Sequence, residues 1–95
     1  MKASDYIRQG WCQYESALDS SGQVVRLDSP HAARFCMIAA MARQAIDEGR
    51  FTMDEEGKML DWLVGIPSPV KDFVWNDIEG RTQADVIARL EQYGF

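Results

Sequence analysis

The chain has 95 residues, 46% of them hydrophobic and 26% charged, enough apolar material for one small core and no room for a second domain. Ten Lys and Arg against fifteen Asp and Glu give a net charge of -5, which argues against direct nucleic-acid binding, because that affinity comes from cations displacing counterions. Two cysteines are too few for a disulfide scaffold, and neither a signal peptide nor an apolar run of spanning length is recognisable, so a reduced, cytoplasmic domain without a membrane partner is expected.

Residues 1–95 read as a single globular unit. From Lys2 to Gln9 the pattern is helical, with Tyr6 and Ile7 facing inward and Gly10 where a left-handed residue would end the helix. Asp19-Ser20-Ser21-Gly22 is a turn between Ser16-Ala17-Leu18 and Gln23-Val24-Val25-Arg26-Leu27, a combination that predicts a small hairpin. Ser29-Pro30 supplies a capping oxygen and a first-turn proline, which predicts a long central helix from Pro30 to Glu48. Its stripe would be Ala32, Phe35, Cys36, Ala39, Ala42 and Ile46, with Gly49 as the stop.

Thr52-Met53-Asp54-Glu55 has the form of a capping box for a third helix that ends near Val64 and buries Met59, Leu60, Leu63 and Val64. Ser68-Pro69 repeats the serine-proline start for a short helix carrying Val70, Phe73, Val74 and Trp75, and Asn76 to Gly80 is a turn. Thr82-Gln83-Ala84-Asp85 then caps a last helix with Val86, Ile87, Leu90 and Tyr93 inward and Gly94 at its close. The expected fold class is mainly α, a compact bundle of about five short helices with a small β-hairpin.

Three elements together, Gly10-Trp11-Cys12-Gln13, Arg34-Phe35-Cys36, and Trp75-Asn76-Asp77 followed by Gly80-Arg81-Thr82 and Asp85-Val86, resemble a family of small bacterial and phage proteins of unknown function. The resemblance covers nearly the whole chain, although Ala39-Ala40 stands where that family often has a Gly-Ala pair. It implies a fold and a setting near mobile elements, and no activity to carry over.

Asn76, Asp77, Arg81 and Thr82 form a polar knot, because Asn and Asp side chains fold back onto nearby amides and Arg81 can bridge Asp77 or helix carbonyls. The same turn can serve recognition, with Trp75 or Trp11 as an aromatic anchor. Met37 and Met41, four apart and off the main stripe of the central helix, are the best candidates for an exposed apolar strip. Partner-binding candidates are therefore Trp11, Met37, Met41, Trp75, Asn76, Asp77 and Arg81.

Catalytic and metal signatures are weak. Cys12, His31 and Asn76 follow the chain order of papain-like thiol hydrolases but lack a local signature. Asp28 and Cys36 with Cys12 and His31 supply zinc-ligating atoms at spacings unlike those of structural zinc sites. No catalytic residue, metal ligand or cofactor is assigned. The expected function is that of a non-enzymatic protein-binding module, a phage or mobile-element accessory factor occupying a host protein, for example an anti-CRISPR. The alternatives are a small cysteine-dependent hydrolase or transferase and a structural subunit that forms a homodimer through Met37 and Met41.

Overall fold

Helix α1 spans Ala3–Gln9, and its first turn is closed by the Asp5 carboxylate, which accepts from the Lys2 amide at 3.3 Å. The computed structural model describes residues 1–95 and continues with strand β1 (Ala17–Leu18), strand β2 (Arg34–Phe35), α2 (Met37–Asp47) and α3 (Glu56–Val64). A single 3-10 turn at Ser68–Val70 leads into α4 (Phe73–Asp77) and α5 (Gln83–Gln92). Five helices and one small antiparallel pair make the domain the mainly α bundle that the sequence pattern predicts.

α1 lies against both α2 and α5, and α4 touches α2. The core is built where they meet, from Ile7, Phe35, Met37, Met41, Val70, Val86 and Leu90, all fully buried. Ala39, Ala40, Ala42 and Ala45 of α2 are buried too, and side chains this small let neighbouring backbones approach closely. A smaller cluster of Ala42, Ala45 and Phe51 receives Trp62, whose ring centroid is 5.3 Å from that of Phe51.

The antiparallel pair forms with a different partner from the one expected. Ala17 and Leu18 pair with Phe35 and Arg34, and the segment 23–27 contributes one bridge, Leu18 to Val24. The turn itself is present: the Asp19 side chain accepts from the amides of Ser21 and Gln23, and Gly22 adopts φ 89°. That pairing also explains why the central helix begins at Met37 and not at Pro30. The amides of Ala33, Phe35 and Cys36 donate to Leu18, Gly10 and Ser16, so residues 33–36 are committed to neighbours distant in sequence. Ser29 and Pro30 make a turn only, with the Ser29 hydroxyl accepting from the His31 amide at 3.1 Å.

Three further expectations are corrected. Gly10 is extended, with φ 179°, and is needed for another reason: a Cβ there would run into the Ala33 carbonyl oxygen. Ser68–Val70 and Phe73–Asp77 are separate turns of helix, and α4 absorbs Asn76 and Asp77. α3 starts at Glu56, after a turn in which Glu55 accepts from the Thr52 amide at 2.9 Å, which is half of the expected box. The box at Thr82 and Asp85 is complete, with both reciprocal bonds near 3 Å.

Candidate functional site

The segment after α1 is drawn across the molecule by backbone pairing: Phe35 donates to Gly10, and Cys12 donates to Phe35. Trp11 is thereby brought beside α4, where its indole Nε1 donates to the Asn76 side-chain oxygen at 2.8 Å. The same oxygen accepts from the Met37 amide at 3.1 Å, one of the orphan donors at the start of α2. The Asn76 Nδ2 donates to the Cys12 carbonyl at 3.2 Å and to the Asp77 carboxylate at 2.9 Å. Both acceptor sites and both donors of this fully buried amide are therefore used, and it caps α2 from a helix 39 residues away.

Gln13 extends the knot by donating to the carbonyls of Asn76 and Ile78, each at 3.1 Å. Arg81 donates to the Trp75 carbonyl at 3.0 Å, and its guanidinium carbon lies 3.9 Å from the Trp75 ring centroid. The Arg89 guanidinium carbon lies 3.6 Å from the same centroid. Both guanidinium groups therefore lie within cation–π distance of the indole.

The structure thus brings Trp11 and Trp75 together with Asn76, Asp77 and Arg81 of the expected polar knot, and uses most of their polar atoms internally. Met37 and Met41 are in the core, and no exposed strip runs between them. α1 and α4 both cover α2, so its buried surface is broader than a single stripe.

The face that remains open was not anticipated. Tyr14 is 73% exposed and holds φ 71°, a left-handed conformation that costs a bulky residue about 1–3 kcal/mol. Its amide donates to the Asp77 carboxylate at 2.9 Å, which pins the strained residue at the rim of the knot. Beside it a depression of about 240 Å³ is walled by Phe73, Ile38 and Cys36. A second of about 140 Å³ lies between α2 and α3, with Ile38, Met59, Leu60 and Leu63, and a third of about 410 Å³ with Val24, Val25, Leu27 and Met53. Ser16 lines all three, so they form one face hollowed at a small residue.

The walls are mostly apolar, and several of their large side chains are exposed. Phe73 is 64% exposed and Leu60 51%, and Val64, one turn beyond Leu60, is 80% exposed. Leu60, Val64, Phe73 and Val74 thus stand outside the core in which the sequence pattern put them, because α3 and the two-turn-or-shorter α4 lie at the edge of the bundle. A signal existed: α3 and α4 carry more large apolar residues than helices so short can bury. Nothing local marked Tyr14 or Ser16.

The chain belongs to the Family of unknown function (DUF6197). That family's model matches residues 1–93, so the knot and the whole hollowed face lie within the matched region. No curated protein and no solved structure gives a significant match to the chain. The resemblance seen in the sequence, to a family of unknown function over nearly the full chain, is thereby established at that level for this DUF6197 member.

Both thiols of this DUF6197 chain are free and buried. Burial, reinforced by the neighbouring Cys36, pushes the Cys12 thiol from its ordinary 9.0 up to about 12, and Cys12 donates to the Glu15 carbonyl at 3.3 Å. Burial also raises Cys36, outweighing the amides of Ala39 and Ile38, which favour its thiolate. Asn76 has no hydrogen-bonding capacity left to orient a histidine, and His31 sits exposed in the turn before β2. No three His, Cys, Asp or Glu side chains converge as metal ligands. No helix is long and apolar enough to cross a membrane.

Proposed function

We propose that this protein is a non-enzymatic protein-binding module whose docking surface is the hollowed face around Ser16. The observation that carries this reading is the apolar surround of that face, in which Tyr14, Val24, Leu60 and Phe73 are large side chains all more than half exposed. Apolar surface grouped in this way, in a domain whose core is already complete, matches the composition of interface centres, where aromatic anchors carry much of the binding energy. The backbone strain at Tyr14 supports the same assignment, because strain of this kind persists at functional positions. The high Cys12 thiol and the saturated Asn76 amide support a non-catalytic role.

In the more specific form of this proposal, the chain is an accessory factor of a phage or mobile element that inhibits a larger host protein, a defence nuclease included. The experiment is affinity capture with the tagged chain from a lysate of the organism that encodes it, comparing wild type with Phe73→Glu. One protein captured by the wild type and lost with a folded Phe73→Glu is the expected result. Capture of that protein by both forms would remove the face from the proposal. If the captured protein is a nuclease whose activity falls on adding the chain, the inhibitory form stands; unaltered activity refutes it.

A further inference from the structure

We propose that the segment docking at the Ser16 face is a basic amphipathic one, with apolar side chains that enter the hollows and Lys or Arg beside them. This rests on the reading of that face as the docking surface, and charge complementarity adds the partner's chemistry. The charged residues lining the three hollows are Glu15, Asp77 and Arg26. Arg26 is neutralised, since its guanidinium makes two bonds of 3.0 Å to the Asp28 carboxylate. Glu15 and Asp77 form no ion pair.

The two carboxylates at the rim are therefore left for an incoming cation. Asp77 retains a carboxylate oxygen, because Tyr14 and Asn76 both bond to Oδ1. Arg81 and Arg89 are engaged on Trp75, and Arg8, Arg43, Arg50 and Lys58 with carboxylates, while Arg34, exposed on β2 in the same neighbourhood, pairs with neither Glu15 nor Asp77. An apolar trough edged by unpaired carboxylates favours a cationic partner and disfavours an anionic one. It also disfavours a second copy of this chain, which would set Glu15 and Asp77 against like charges.

Ser16 gives a clean handle on the face. Its side chain is exposed and makes no hydrogen bond, while its carbonyl accepts from the Cys36 amide whatever the side chain is. The test is a displayed library of random peptides selected on the immobilised full chain, with Ser16→Arg as the counter-selection and circular dichroism to show that the variant is folded. Enriched peptides should be net positive with interspersed apolar residues. A synthetic peptide of that sequence should lose about tenfold or more in affinity for Ser16→Arg, and less for Glu15→Gln. Its binding should weaken as salt is raised, as exposed charge pairs are screened.

Enrichment of neutral or acidic peptides that depend on Ser16 would overturn the basic partner and leave the docking face standing. No enrichment over Ser16→Arg would overturn both. A concentration-dependent dimer of the wild type, abolished by Ser16→Arg, would make a second copy the occupant and refute the basic segment.

Discussion

Replacing Asn76 with alanine removes one side chain and strands three groups. The Trp11 Nε1–H, the Met37 N–H and the Cys12 carbonyl all lose the partner they have in the native structure. A buried polar group left without a hydrogen bond costs about 1–3 kcal/mol, and Trp11, only partly buried, falls at the low end because water reaches it. The total comes to roughly 3–7 kcal/mol. A domain of this size is stable by roughly 5–14 kcal/mol, so Asn76→Ala should lose near half of its stability. Urea unfolding followed by far-ultraviolet circular dichroism measures the loss, with the dependence on denaturant checked for constancy so that the midpoint shift reads as stability. Asn76→Asp sharpens the test. The carboxylate keeps the acceptors for Trp11 and Met37 but faces the Cys12 carbonyl and the Asp77 carboxylate without a donor, so it too should be destabilised by several kcal/mol near neutral pH. A loss below about 1 kcal/mol in both variants would refute the assignment of Asn76 as the junction between α2, α4 and the Gly10–Ser16 segment.

Gly10→Ala should destabilise by about 1–3 kcal/mol, since its Cβ meets the Ala33 carbonyl and not a flexible side chain; an unchanged urea midpoint would contradict the close approach. Met41→Ala should cost about 2–5 kcal/mol while Phe73→Ser stays within about 0.5 kcal/mol, and the reverse order would mean that the open face has been misassigned. The Cys12 thiol is held protonated in the folded chain, so stability should be undiminished below its ordinary 9.0 and decline as pH rises toward about 12. Urea midpoints across that interval should fall less steeply for Cys12→Ala than for wild type, and parallel curves would refute the burial argument. Thr82→Ala should cost about 1 kcal/mol through loss of the α5 cap, and no change in the urea midpoint would count against it.

The parts of this fold legible in the sequence are those set by neighbours in the chain. The box at Thr82 and Asp85, the inward Tyr6 and Ile7, the turn at Asp19 and the stop at Gly49 follow from local chemistry, and the structure has them all. The parts that were not legible are set at long range. Ser29-Pro30 is a strong helix-start signal, yet the amides of Ala33, Phe35 and Cys36 that follow are claimed by Leu18, Gly10 and Ser16. Gly10 reads as a helix terminator, yet its role is contact with a residue on another segment. The Trp75-Asn76-Asp77 cluster was recognisable as a polar knot, but its reach to Trp11, Cys12 and Met37 required the three-dimensional structure. Helical spacing gave Leu60 and Val64 a common face without saying whether anything covers it, and the open face around Ser16 includes such uncovered residues together with a tyrosine strained into place.

The measurement that bears most directly on that face is site-specific photo-crosslinking in cells, with a photoreactive phenylalanine analogue placed at Phe73 and, as a control, at Ala88 on the exposed side of α5. Both positions are accessible, and Ala88 borders none of the three hollows. Crosslinks to one protein from position 73, absent from position 88 and suppressed by Ser16→Arg in the same chain, are the predicted result. Crosslinks confined to position 88, or from position 73 to many proteins regardless of Ser16→Arg, would contradict the assignment of the Ser16 face as a specific docking surface.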